Sequence, residues 1–235
     1  MDTGRSPTFD DAATVNWYPA TIPSTKSAGL FATPGLTRLL SVDTESCRGM
    51  FSQDGRTWAV VGDTLYELDL DANTADTLGT IPNDAKPVSF ASNGRGGEQL
   101  AICGGGELKV FDLLTNTLSA AVTLPLTNAP ACIDFLDGYG LLLEADSVRC
   151  YFSALEDFTD FDALDFFARS QTSDNFVAMG VLRDRVWLWG SESTEIYYDS
   201  GDADTPFLPY PGAIINEGIG GPDAWETDGV AMYWL

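Results

Sequence analysis

The chain contains no histidine. That absence removes Ser–His–Asp and Cys–His nucleophile systems, histidine general bases and histidine metal sites together. Lysine is nearly missing as well, occurring only at Lys26, Lys86 and Lys109. The cysteines Cys47, Cys103, Cys132 and Cys150 form no C-x-x-C pair, which excludes the usual zinc and thioredoxin-type signatures. Three of them lie in or beside apolar, strand-like stretches and read as reduced core residues. No run of about 18 apolar residues exists, so no membrane-spanning helix is expected. The opening "MDTGRSPTFDD" lacks the apolar stretch of a signal peptide.

What the chain has in excess is negative charge: 35 acidic against 12 basic residues, a net charge of −23 over 235 residues. Such a surface repels phosphate backbones and argues against tight nucleic-acid binding. It suits two situations, a high-salt habitat or a surface past which DNA slides without sticking, and the composition does not choose between them. The 44% hydrophobic and 11% aromatic content is enough to bury a sizeable core.

"LYELDLDANTADTLGTI" (65–81) aligns with "LKVFDLLTNTLSAAVTL" (108–124) at a constant offset of 43 residues. Asp69 falls on Asp112, Leu70 on Leu113, Asn73 on Asn116 and Thr74 on Thr117. In each copy an alternating strand enters a short polar turn and a second strand follows. The second copy lacks the acids at the positions of Asp71 and Asp76 but keeps Asn-Thr, so the shared feature is the turn. Read as a calcium loop, Asp69, Asp71 and Asn73 match the first three ligands, but Thr74 stands where glycine is needed and Thr80 where the bidentate glutamate belongs. A β-hairpin turn is therefore the expected structure.

A nearly continuous apolar run precedes each of these hairpins: "WAVVGD" (58–63), "LAICGG" (100–105), "LLLEAD" (141–146), "VWLWGS" (186–191) and "VAMYWL" (230–235), with starts 42, 41, 45 and 44 residues apart. Each reads as a strand buried on both faces, flanked by a more alternating strand after it and a strand ending in a polar turn before it. Blocks of this length with several short strands are the size of propeller blades, which shield one another's faces by stacking around an axis. The expected fold is all-β, a β-propeller-like domain over 38–235 with about four blades and the start of another, incomplete at its C-terminal end, preceded by an extended arm over 1–37. One stretch, "LEDFTDFDALDFFAR" (155–169), has partial helical spacing and is expected as a short inserted helix. "GGGE" (104–107) lies between strands without a Walker lysine and reads as a turn. Paired acids such as Glu156/Asp157 and Asp160/Asp162 single out no glycosidase pair among so many carboxylates.

Three stretches carry more than a generic propeller: "VNWYPATIPSTKSAGLFATPGLTRL" (15–39), "FVAMGVLRDRVWLWGSESTEIYYDSGD" (176–202) and "PFLPYPGAIINEGIGGPDAWETDGVAMYWL" (206–235). In this order they resemble the packaged-DNA stabilisation protein of short-tailed, podovirus-like phages, the tail hub or nozzle family. The resemblance implies a virion protein made in the host cytoplasm, without catalytic residues, cofactor or metal. It implies a homo-oligomeric, hexameric ring that closes the tail channel and retains DNA without binding it tightly. The implied neighbours are the portal and adaptor complex above and tail fibres, spikes or a needle below. The apolar arm residues Trp17, Tyr18, Pro19, Phe31 and Pro34 are the candidate partner-binding set, the other reading being that the arm packs along its own propeller as a closing strand. Two further functions stay open on the residues alone. A carbohydrate-binding or glycoside-hydrolysing propeller would stack sugars on Trp58, Trp187, Trp189, Trp225 or Trp234, although four of these sit in the buried-strand runs. A calcium-dependent adhesion module would use the acidic hairpins.

Overall fold

The computed structural model describes residues 17–22, 27–33, 35, 38–169 and 171–235. The chain divides into two units, Met1–Leu39 and Leu40–Leu235. In the first, β1 (Trp17–Ile22) and β2 (Ser27–Ala32) form an antiparallel hairpin.

The second unit repeats one motif. β3 (Cys47–Gln53), β4 (Arg56–Val61), β5 (Thr64–Asp69) and β6 (Thr74–Thr80) form an antiparallel meander in chain order. The second sheet is β7 (Ser89–Ser92), β8 (Gln99–Gly104), β9 (Glu107–Asp112) and β10 (Thr117–Leu118), with a single helical turn, α1 (Gly94–Gly97), between its first two strands. The third is β11 (Pro130–Leu136), β12 (Tyr139–Glu144), β13 (Arg149–Phe152) and β14 (Phe166–Ala168). The fourth is β15 (Phe176–Leu182), β16 (Arg185–Gly190), β17 (Thr194–Asp199) and β18 (Phe207–Ile215). A two-stranded sheet, β19 (Trp225–Thr227) with β20 (Met232–Trp234), begins a fifth. All five apolar runs of the sequence are second strands, and the fold is an open, propeller-like series of blades.

Local chemistry sets the turns. Asp54–Gly55 and Asp137–Gly138 are two-residue loops with positive φ at both positions, 50° and 81° in the first and 49° and 93° in the second. That is the hairpin geometry Asp-Gly favours. In the repeated third-to-fourth-strand turn, Asp69 Oδ1 accepts the N–H groups of Asp71 and Ala72 at 3.0 and 2.8 Å, and Asp112 Oδ1 those of Leu114 and Thr115 at 2.9 and 2.7 Å. Asn73 and Asn116 take the left-handed position at φ 55° and 54°. The acidic turn is a hairpin device.

The core lies between blades. Second-strand side chains alternate, so one blade supplies two interfaces: Leu100 and Ile102 pack towards the first sheet with Trp58 and Val60, while Ala101 and Cys103 pack towards the third with Leu142 and Tyr151. Leu141 and Leu143 then meet Val186 and Leu188 of the fourth sheet, whose Trp189 faces Met232 of the fifth. In the first three blades the first residue of the second strand ties one blade to the next. Arg56 holds Glu67 through two bonds of 2.6 and 2.7 Å and reaches across to Asn116 Oδ1 at 2.6 Å. At the same position Gln99 donates to Asp157 and accepts the Phe158 N–H at 2.7 Å, and Tyr139 sets its ring edge-on to Phe207, with centroids 5.6 Å apart.

The helix expected over 155–169 does not form. Asp157 and Asp162 accept backbone N–H groups two residues ahead, from Thr159 and Leu164 at 2.9 and 2.8 Å, and Glu156 has φ 58°. Such local bonds compete with helical ones. The segment is a run of turns ending in β14, and its phenylalanines divide: Phe158 and Phe161 pack towards the second sheet, Phe167 towards the fourth.

Candidate functional site

The first strands of successive blades lie side by side along the inner edge of the fan, and their exposed backbone edges need partners. The preceding blade provides them. Arg48 O accepts the Val88 N–H at 2.9 Å, Ser89 Oγ the Ile133 N–H at 2.9 Å, and Asp134 Oδ2 the Val181 N–H at 2.8 Å. Between these strands lies a cavity of roughly 200 Å3, lined among others by Ser89, Phe90, Cys132, Asp134, Asp223 and Trp225.

Burial pushes the Asp134 carboxyl up to about 6, against the opposing effect of the bonds from Phe135 and Val181 N–H. Because this folded value lies above the unfolded one, ionising Asp134 costs stability. The cost is absent below about pH 4, grows as the pH rises towards 6 and is full above it, at about 2–3 kcal/mol. Asp134→Asn keeps an oxygen for Val181 and removes the charge. It is expected to raise the melting temperature by several degrees at pH 8 and to leave it unchanged near pH 4, as checked by calorimetry at both values; an equal shift at both would refute the assignment.

The connections where one blade runs into the next are held by buried charged groups. Arg48 donates to the carbonyls of Lys86, Gly62 and Pro82 and to Asp84 Oδ1 at 2.6 Å. Glu144 Oε1 accepts the N–H groups of Thr127 and Asn128 at 2.6 and 2.9 Å. Arg169, with a fully buried side chain, bonds Asp174 Oδ1 and the carbonyl of Ser193 and pairs with Glu195, also fully buried, at 3.4 Å. Tyr197 Oη donates to Glu195 Oε2 at 2.9 Å. This arrangement joins chain segments distant in sequence. The four cysteines are free, and burial pushes the Cys103 thiol up to about 12, far from the range of a nucleophile. Among the described residues no group of three or more Cys, Asp or Glu side chains is placed to hold a metal ion. No helix of the described residues is long and apolar enough to cross a membrane.

Of the arm residues singled out from the sequence, Trp17, Tyr18 and Pro19 lie on β1, and Phe31 on β2 stands opposite Tyr18 in register. Leu30, opposite Pro19, is 55% exposed. Pro34 lies outside the described residues. Of the candidate sugar-stacking residues, Trp58 and Trp189 are buried. Trp189 packs against Trp187, Trp225 and Trp234 with centroids 5.3–6.2 Å apart. The rings spend their faces on one another, and Gly180 lets Trp225 approach: a Cβ there would stand 2.5 Å from its ring. Sequence reasoning missed Asp134, Arg169 and Glu195. Arg169 and Glu195 lie in stretches read for helical spacing and for family resemblance, and no signal in the sequence separates any of the three from the other charged residues.

Over residues 1–234 the chain matches the family described as bacteriophage P22 Gp10, beta-propeller. No curated protein matches it. Among solved structures it is similar to the computationally designed Ika8 protein (TM-score 0.51, 11% identity, 80% of this chain and 57% of that one). It is also similar to Hsv2 of Kluyveromyces lactis (0.50, 12%, 79% and 59%) and to the RRP9 WD40 repeats (0.52, 11%, 74% and 53%). At these identities the likeness shows the fold alone, and the chain spans somewhat over half the length of each of these structures.

Proposed function

Because the chain belongs to the phage-stabilisation family of P22 Gp10-type β-propellers, we propose that it is a structural tail protein, a hub or nozzle that closes the channel and retains packaged DNA. The observation that carries this reading is the family match along 1–234, joined to a propeller-like body whose blade interfaces are filled with packed side chains. In this role the protein forms a hexameric ring in the virion, seated on the portal and adaptor complex and carrying fibres, spikes or a needle. Its arm supplies a docking element through Trp17, Tyr18, Pro19, Phe31 and Pro34. The net charge of −23 supports containment of DNA without adhesion, since like charges repel within the screening length of about 8 Å at physiological salt. Ring faces already used in packing speak against the sugar-binding alternative.

The test is a phage with this gene deleted. Its particles are expected to fill with DNA and then lose it, becoming sensitive to nuclease, and added protein should restore retention. Particles that keep their genome without the protein would end the proposal. The double change Trp17→Ala/Tyr18→Ala is expected to weaken binding to tail complexes at least tenfold, with an unchanged melting temperature.

A further inference from the structure

The inner-edge cavity contains a carboxylate that no described arginine or lysine balances. Asp134 uses its two oxygens to accept the N–H groups of Phe135 and Val181, each at 2.8 Å, and among the described residues no arginine or lysine pairs with it. An enclosed carboxylate is ordinarily matched by a cation, and this one retains unused acceptor capacity. Asp223 lines the same cavity and adds a second negative charge. Both acids bear on the Cys132 thiol, which burial, the largest effect, has already pushed well up. Apart from Ser89, whose hydroxyl accepts the Ile133 N–H, the remaining walls are apolar or aromatic, including Phe90, Ala178, Met179 and Trp225. Trp225 stacks on Trp189 and Phe90 on Phe51, and these rings together with the aliphatic walls suit methylene groups. The roughly 200 Å3 leaves space for about six heavy atoms at the roughly 30 Å3 a water occupies in the liquid.

We propose that this cavity binds an organic ammonium group, with Asp134 as its counter-ion, Asp223 as a second acid and Trp225 and Phe90 as the walls along its alkyl stem. The inference goes beyond the tail reading and does not depend on it. The ammonium has two possible sources, a free aliphatic amine or a lysine side chain of a neighbouring polypeptide, and the chemistry is the same for both.

The experiment uses the full chain and two probes: n-butylammonium chloride, with butan-1-ol and sodium chloride as controls, and an acetylated Gly-Gly-Lys-Gly-Gly amide, with its norleucine analogue as control. Binding is read from the Met179 methyl signal in NMR titrations and from melting temperature. At least one ammonium probe should bind while its control does not; tighter binding of the peptide identifies a protein side chain as the source, and tighter binding of butylammonium a free amine. Asp134→Asn, which keeps the acceptor for Val181, is expected to weaken binding at least tenfold, and Trp225→Leu, which reshapes the wall along the alkyl stem, about two- to fivefold. Asp202→Asn removes the same charge from an exposed turn and should change binding less than twofold. Cys103, Cys132 and Cys150 stay protonated from about pH 5 to 7.5, and Asp223 is the other charged group at the cavity. Affinity should therefore fall about tenfold over that interval as Asp134 takes up its proton. Absence of binding by both probes, unchanged binding in Asp134→Asn, or an equal loss in Asp202→Asn would each overturn the site.

Discussion

Replacing Arg169 by methionine is expected to lower the unfolding free energy by about 3–5 kcal/mol, the cost of removing one partner from a buried charge cluster. Arg169 and Glu195 have fully buried side chains, and Asp174 is largely buried beside them. The guanidinium bonds Asp174, donates to the Ser193 carbonyl at 3.0 Å and lies 4.6 Å from the centre of the Phe176 ring. Without it, two carboxylates face each other with no cation. Burial alone would raise the Asp174 carboxyl. Bonds from Glu192 N–H, Thr172 and Arg169 outweigh burial and hold it far below the usual carboxylate range. In the native chain, then, Asp174 contributes stability above the unfolded value near 4, and that contribution is lost as the pH falls. In Arg169→Met the sign reverses: the stranded acids gain protons more readily when folded, so the defect should be largest near pH 8 and shrink towards pH 4. Urea unfolding at both values measures it. Adding Asp174→Asn and Glu195→Gln to the methionine variant should recover most of the loss. A triple variant no better than the single one would mean that packing, and not uncompensated charge, sets the cost.

The second large effect concerns the boundary between the fourth and fifth sheets. Trp189→Ala is expected to cost about 3–5 kcal/mol, as for other large aromatic deletions in packed interiors. Trp189 is fully buried and stacks on Trp225 at 5.3 Å, with Trp187 and Trp234 at 6.2 Å. The fifth sheet has only two strands, so it relies on this stack more than the four-stranded sheets rely on any single residue. Hydrogen exchange should therefore speed up first in β19, β20 and the 216–224 connection, ahead of the first three sheets. Uniform acceleration across all five sheets would show that the blades unfold as one cooperative unit and that the stack has no local role.

Much of the architecture was legible in the residues. The apolar runs beginning at Trp58, Leu100, Leu141, Val186 and Val230 each coincide with most or all of a second strand, because a strand covered on both faces is apolar at nearly every position. The shared Asp69/Asp112 and Asn73/Asn116 marked a turn, because an aspartate that caps N–H groups and an asparagine at positive φ act within five residues of each other. The expected helix at 155–169 failed for the same kind of reason: its aromatic spacing was read, while the aspartates that bond their own backbone were not weighed as breakers. The residues tying blade to blade were not legible. Arg56, Gln99 and Tyr139 occupy one position in three blades and use an ion pair, an amide and a ring, so no residue type repeats to reveal the role. Glu195 belongs to an alternating strand, "TEIYYD", where an acid is expected to face water; it is fully buried.

The sequence by itself determined the strands, their period and their turns, because side-chain alternation and positive φ are properties of neighbouring residues and are written locally. Only the tertiary structure decided which few of the 35 acids leave the solvent. Asp134, Asp174 and Glu195 acquire much of their character from groups roughly 20 to 50 positions away in the chain: Val181 for Asp134, Glu192 for Asp174 and Arg169 for Glu195. The free energy of a buried charge depends on what surrounds it in space, and the blades establish those surroundings by stacking.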